Sequence, residues 1–145
     1  MIKGFHHAAL STPNLERCID FYTRVIGGKV AWTFGWPIGT EEAEEVIGVP
    51  DSAANAAMLK IGNSFLEVFE FSSPEQSNRI QRNSVHDYGI THVCLEVTNI
   101  EDEFKRLSEA GMKFKSEPKT QDGSIMVYGH DPDGNVVELI EFLAN

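Results

Sequence analysis

The chain has 145 residues, enough for one domain with a hydrophobic core, and its 41% hydrophobic and 23% charged residues are those of an ordinary globular protein. Its 22 acidic and 12 basic residues give a net charge of −10, which speaks against nucleic acid and against anionic membranes as partners. No apolar run approaches the roughly 20 residues of a membrane span, and the N-terminus MIKGFHHAAL lacks the long apolar stretch of a secretory signal, so the expected compartment is the cytoplasm.

In chain order, residues 5–11 (FHHAALS) read as a short strand. Thr12-Pro13-Asn14 breaks it, since Pro cannot continue a ladder and Asn caps helices well. Leu15, Ile19, Tyr22 and Ile26 recur at helical spacing, so residues 14–26 are expected to be an amphipathic helix stopped by Gly27-Gly28. Residues 29–36 (KVAWTFGW) read as a strand. Thr40 followed by EEAEEVIGV suggests a short capped helix ending at Gly48, with the acidic run on a solvated face. Strands follow over 56–61 and 64–71, joined by the turn Gly62-Asn63.

Residues 73–88 are polar with little periodicity and read as a linker between a first module (about 4–72) and a second (about 89–143). The second module is expected to contain a strand over 90–97, a helix over 99–110 closed by Gly111, and strands over 112–116, 124–129 and 135–142. Asp131-Pro132-Asp133-Gly134 forms the last turn. The order βαβββ thus occurs twice within a single domain spanning 1–145. Cys18 falls in a helix and Cys94 in a strand. Neither has CxxC spacing, so both are expected as unbridged, buried or half-buried thiols.

The duplication extends to individual residues. GFHHAALSTPNLERC (4–18) lies over GITHVCLEVTNIEDE (89–103): with His7 on His92, Leu10 falls on Leu95, Asn14 on Asn99 and Glu16 on Glu101. SFLEVFEF (64–71) lies over NVVELIEF (135–142), which puts Glu67 on Glu138 and Glu70 on Glu141. A lone strand His is more often a hydrogen-bonded core residue than a ligand, and a lone strand Glu is commonly an edge residue. The recurrence of both types across a repeat changes that balance. Glu67 and Glu138 sit in strands apolar on both faces, where an unpartnered carboxylate is costly. Two of them in equivalent strands call for a shared cation, and His7 and His92 complete a four-ligand set. His6 is expected on the opposite face from His7, as a structural or surface residue. Glu70 and Glu141 are expected to face away from the site, at solvated strand ends.

The residues His7-Ala-Ala-Leu with Asn14-Leu-Glu-Arg, Phe65-Leu-Glu67-Val, Gly89-Ile-Thr-His92-Val-Cys-Leu-Glu and Asp131-Pro-Asp-Gly-Asn-Val-Val-Glu138 resemble the vicinal oxygen chelate superfamily. That group includes glyoxalase I, methylmalonyl-CoA epimerase, extradiol dioxygenases and bleomycin-resistance proteins. The resemblance covers nearly the whole chain. It implies an α+β fold in which two βαβββ modules form a curved, partly open mixed β-barrel around a metal cleft. It places one divalent ion (Zn, Ni, Co, Mn or Fe) on His7, Glu67, His92 and Glu138, and it implies pairing of chains as a homodimer.

The His, Glu, His, Glu set is similar to that of bacterial glyoxalase I. It implies a lyase or isomerase acting on a small carbonyl substrate through a metal-stabilised enediolate, with Glu138 or Glu67 as the base. Two other readings stay open. An Fe(II) extradiol-type dioxygenase would use two His and one carboxylate, and Glu67 would then occupy a position that oxygen or substrate needs. A non-catalytic drug-binding protein of the bleomycin-resistance kind would suit the acidic charge. Basic residues for glutathione or coenzyme A are sparse: Arg79 and Arg82 either face the cleft or lie on solvated surface. Trp32 or Trp36, Phe34, Met58, Phe69, Met126 and Tyr128 are candidates to line the cleft or to fill the core. His86 and His130 are candidate extra acids or bases, with turn or surface roles as the alternative.

Overall fold

A computed structural model of the chain describes residues 1–77, 85–86 and 88–143. The chain divides into two units, Met1–Asn78 and Arg79–Asn145, each built on one mixed sheet with few helices, so the fold is α+β.

In the first unit the strands are β1 (His7–Ser11), β2 (Lys29–Trp36), β3 (Ala53–Ile61) and β4 (Ser64–Ser73), in the spatial order β1-β4-β3-β2. β1 runs parallel to β4, and the other pairs are antiparallel. Helix α1 (Leu15–Asp20) passes into a π-helical segment, Phe21–Val25, so the single helix expected over 14–26 has two hydrogen-bonding patterns. Asn14 caps it as expected, accepting from the amide of Arg17 at 2.9 Å. Cys18, Tyr22 and Val25 are buried against the sheet together with Leu59, Leu66 and Val68. Gly28 lets the exit from this helix come close: a Cβ there would stand 2.8 Å from the Tyr22 carbonyl oxygen. Helix α2 (Glu41–Ile47) ends at Gly48 in the left-handed conformation, and none of its residues is buried. Thr40 does not cap it; its hydroxyl donates to the Pro37 carbonyl instead.

In the second unit β5 (Val93–Glu96), α3 (Ile100–Glu109), β6 (Lys113–Phe114), β7 (Lys119–Gln121), β8 (Ser124–His130) and β9 (Val136–Phe142) follow in sequence. The spatial order is β5-β9-β8-β6, with β7 also on β8 and β5 parallel to β9. Ile100 and Leu107 of α3 are buried, as are Val127, Val137 and Leu139 of the sheet.

The expected strand over 112–116 is shorter than its sequence suggests, and β7 was not expected. Pro118 precedes β7, and Asp122-Gly123, both with positive φ, close a tight β7–β8 hairpin. The strands expected over 5–11 and 90–97 also start late, at His7 and Val93. Each begins where pairing with its parallel neighbour begins: His7 faces Phe65 and Val93 faces Val137. Upstream, Phe5 and Ile90 are exposed.

Candidate functional site

The parallel strand pair places each His beside its Glu. Glu67 of β4 lies opposite Ala9, two residues beyond His7, so both side chains rise from the same face of the sheet. His7 Nε2 is 3.2 Å from Glu67 Oε2. The second unit repeats this at the same offset. Glu138 of β9 lies opposite Cys94, two residues beyond His92, and His92 Nε2 is 3.1 Å from Glu138 Oε2. Glu138 is buried and Glu67 is half-buried. The structure therefore brings His7 to Glu67 and His92 to Glu138. Among the described residues no group of three or more His, Cys, Asp or Glu is gathered at metal-holding distance.

Both imidazoles are held at the other nitrogen. His92 Nδ1 is 2.8 Å from the Thr91 hydroxyl, and His7 Nδ1 is 2.7 Å from His6 Nδ1. A proton on Nδ1 leaves the Nε2 lone pair aimed at the carboxylate side, which is the tautomer a metal requires. Two ligands about 2.1 Å from one ion at a right angle stand about 3 Å apart. The donor types and both Nε2–Oε2 separations fit a divalent cation. The same separations also serve an imidazolium–carboxylate pair.

Register assigns the neighbours. On the Glu67 face stand Trp32, Phe34, Met58, Phe65 and Phe69, with Trp36 and Phe71 further along. Trp32 and Phe34 are exposed at 47% and 37%, so this wall is not filled core. On the Glu138 face stand Cys94, Met126, Tyr128 and His130. The residues expected to line a cleft thus share the faces of the two His–Glu pairs.

Tyr128 lies directly across from Glu138, its ring edge-on to His92 at 5.4 Å between centroids. Its hydroxyl is held above the usual phenol range by loss of water first, then by the charge of Glu138 and a hydrogen bond to it, and last by the charge of Cys94. Cys94 flanks Glu138 on the other side. Its residue surface is exposed, contrary to the expectation of a buried or half-buried thiol, because it lies on an edge strand. Yet its sulfur lies beside carboxylates. Loss of water first, then a hydrogen bond to Glu138 and the charges of Glu138 and Glu96, push the thiol up to about 12.

Other expectations need correction. His6 does not point away from the site side. It precedes β1, so strand alternation does not bind it, and its ring stacks on Phe65 at 5.0 Å. Glu70 and Glu141 do face away, but as helix anchors rather than free strand ends. Glu70 accepts from the Leu15 amide at 2.8 Å, and Glu141 accepts from the amides of Asn99 and Ile100 at 3.0 and 2.8 Å. The signal was in the sequence: each is the partner in the repeat of the other, three residues beyond a site Glu and so on the opposite face. Asp131 is buried and accepts from Asp133 and Asn135, so the DPDG turn is a structural device that starts β9. His130 Nδ1 contacts the Gly134 carbonyl in that turn at 3.1 Å, and His86 is exposed. Arg79 and Arg82 lie outside the described residues. No helix among the described residues is long and apolar enough to cross a membrane.

Comparison with known proteins agrees with the α+β fold. The chain is 32% identical over 147 residues to 2-epi-5-epi-valiolone epimerase of an Actinomyces species, covering 96% of this chain and 79% of that protein. It is 26% identical over 140 residues to mitochondrial methylmalonyl-CoA epimerase of Mus musculus, covering 92% and 70%. It is 25% identical over 151 residues to lactoylglutathione lyase of Pseudomonas aeruginosa, covering 97% and 84%. In fold it is similar to a glyoxalase family protein of Bacillus cereus, with a TM-score of 0.87 at 20% identity over 99% of this chain and 97% of that one. Residues 4–139 match the family described as the Glyoxalase/Bleomycin resistance protein/Dioxygenase superfamily, and the chain belongs to that superfamily.

Proposed function

We propose that the protein is a divalent-metal-dependent isomerase that moves a proton on the carbon next to a carbonyl group, with His7, Glu67, His92 and Glu138 as its ligand set. The observation that carries this reading is the repeated His–Glu pair, 3.2 Å in one unit and 3.1 Å in the other, at the same register in both sheets. The relatives support the reaction class. The one at 32% identity is an epimerase, as is one at 26%, and the lyase at 25% belongs to the same superfamily. Epimerisation therefore ranks ahead of the lactoylglutathione lyase reaction.

When bound, a divalent cation supplies Lewis-acid polarisation of the substrate carbonyl oxygen. In this reading His7 and His92 would hold it through Nε2, with Nδ1 steadied by His6 and Thr91. The Oε atoms of Glu67 and Glu138 are the groups that take the proton from carbon and give it back. Return to the same carbon from the other side inverts the centre, and return to its neighbour isomerises the carbonyl. Trp32, Phe34, Phe65 and Phe69 exclude water beside Glu67 and receive the apolar body of a small substrate. The second carboxylate, matched to its own His, speaks against an oxygen-activating site of two His and one carboxylate. The active form in this reading is a homodimer, which light scattering checks.

The test is hydrogen exchange at carbon. Metal-free protein is loaded separately with Co, Ni, Zn, Mn or Fe(II) and incubated in D2O with small cyclic ketones and 2-substituted thioesters. Proton NMR is expected to show deuterium entering next to the carbonyl with at least one metal, and not with Glu138→Ala. Folded protein that binds none of these cations overturns the reading.

A further inference from the structure

The face that carries His7 and Glu67 differs in character on the two sides of that pair. Residues paired directly across strands share a face. One row therefore runs His7, Phe65, Lys60, Lys29 across β1, β4, β3 and β2, and the next runs Ala9, Glu67, Met58, Trp32. Beyond Glu67 the face is aromatic, with Phe69 and Phe34 in one row and Phe71 and Trp36 in the next. Trp36 is fixed there, its Nε1 donating to the hydroxyl of buried Ser52 at 3.0 Å. On the other side the face is cationic. Lys60 is half-buried, and its Nζ lies over the Phe65 ring, 4.3 Å from the centroid. That contact uses the charge but none of the three N–H donors. Although the chain has 22 acidic residues against 12 basic ones, no described residue gives Lys60 Nζ a carboxylate at ion-pair distance. The second unit has a basic row at the equivalent place: Val136, His130 and Lys113 cross β9, β8 and β6 two positions before Glu138.

We propose that Lys60 sets the specificity of this face, and that the site takes a small carbonyl compound with an anionic group, carboxylate or phosphate, a few bonds from the carbon that reacts. Lys60 is the diagonal neighbour of Glu67 on the same face, about 7 to 8 Å away across the strand pair. The position of Nζ over Phe65 brings the charge from β3 over β4, the strand that carries Glu67. A substrate whose reacting carbon lies at Glu67 therefore meets two unlike sides. Its apolar part goes towards Phe69, Phe34 and Trp36, and its charged part to the ammonium group. An anion there gains a charge-assisted hydrogen bond. The local cation also offsets the repulsion that a net charge of −10 sets up against an anionic ligand. The row reads a charge close to the carbonyl, not one at the far end of a long carrier. This inference rests on the proposed metal-dependent isomerase reading and adds to it the charge of the substrate.

The test uses the full-length protein loaded with Co2+ and titrated with two matched pairs: dihydroxyacetone phosphate against dihydroxyacetone, and levulinate against methyl levulinate. Calorimetry and the visible absorption of the bound cobalt ion read affinity. The anionic member of at least one pair is expected to bind about tenfold more tightly than its neutral partner, the scale of one hydrogen bond to a charged group. Preference in one pair names the phosphate or the carboxylate, and preference in both names their shared charge. Lys60→Met keeps an apolar stem on Phe65 and removes the charge, and is expected to abolish the preference. Lys60→Arg is expected to retain most of it. Lys105→Met, at an exposed position of α3, is expected to leave it unchanged. Thermal unfolding checks that the fold is kept, and Lys60→Gln gives the answer if Lys60→Met does not fold. Unaltered protein that binds Co2+ but prefers neither anion overturns this inference and leaves the metal-dependent reading standing. A preference that survives loss of the Lys60 charge, or that falls equally in Lys105→Met, overturns it in the same way. Unaltered protein that binds no Co2+ overturns both.

Discussion

The carboxylate of Glu141 accepts hydrogen bonds from the backbone of Ile100, at 2.8 Å, and of Asn99, so the last strand of the second unit closes the first turn of its helix. Asn99 itself is in the left-handed conformation and offers no side-chain cap, and Glu141 is the side-chain acceptor at the α3 N-terminus. Glu141→Ala is expected to destabilise the protein by about 2 kcal/mol, the scale of charged-acceptor hydrogen bonds. Urea unfolding measures it. Co2+ affinity should hold within about twofold, because the group faces away from Glu138; a large loss of binding would show that the two faces of β9 are not separable.

Glu67→Leu separates stability from binding. Glu67 lies in an apolar row between Met58 and Ala9, and an apolar group of similar size at a buried charged position is often neutral or stabilising. The metal-free variant should unfold within about 1 kcal/mol of the unaltered protein or above it, while binding Co2+ far more weakly. A sharp drop in stability with binding retained would show that Glu67 is a structural partner of His7 and nothing more.

The Cys94 thiol, pushed up to about 12, should react slowly in the metal-free protein despite its exposed position. At pH 8 only about one molecule in ten thousand carries the thiolate, the form that attacks. Iodoacetamide modification followed by mass spectrometry should speed up about tenfold per pH unit from pH 8 to pH 10. Glu138→Gln removes the leading neighbouring charge and should speed the reaction at pH 8. A rate that levels off below pH 10 in the unaltered protein would show a more acidic thiol.

Gly28→Ala is expected to cost about 1 to 3 kcal/mol, because the added methyl meets the Tyr22 carbonyl at 2.8 Å and the Lys60 carbonyl at 3.1 Å. Both obstacles are backbone and cannot swing aside. A thermal unfolding midpoint equal to that of the unaltered protein would show that the exit of the π-helical segment can shift.

Much of this was legible in the residues. The alternation of β4 and β9, the repeat that equates Glu67 with Glu138, and the capping signal at Asn14 each carry their own physical cause, and the structure follows them. Where the reading missed, the missing information was non-local. Phe5 and Ile90 belong to strand-like runs, but a strand starts only where a neighbour pairs with it, at His7 and at Val93. The β7 hairpin was available in Gln121-Asp122-Gly123-Ser124 and was masked by Pro118 and by the polarity of Lys119 and Thr120. The role of Glu70 and Glu141 follows only once each strand is laid beside a helix start. Cys94 and Tyr128 become partners of Glu138 through register, which composition and periodicity do not reveal.

The strands β4 and β9 each carry two acidic side chains three positions apart, one turned to an imidazole and the other to a row of helix amides. Sliding either strand by a single place would exchange their sides: the imidazole would lose its neighbour and the helix would lose its anchor together. Pairing errors are therefore penalised twice, from above and below the sheet, and the alignment that supports the chemistry is the same one that lets the helix start.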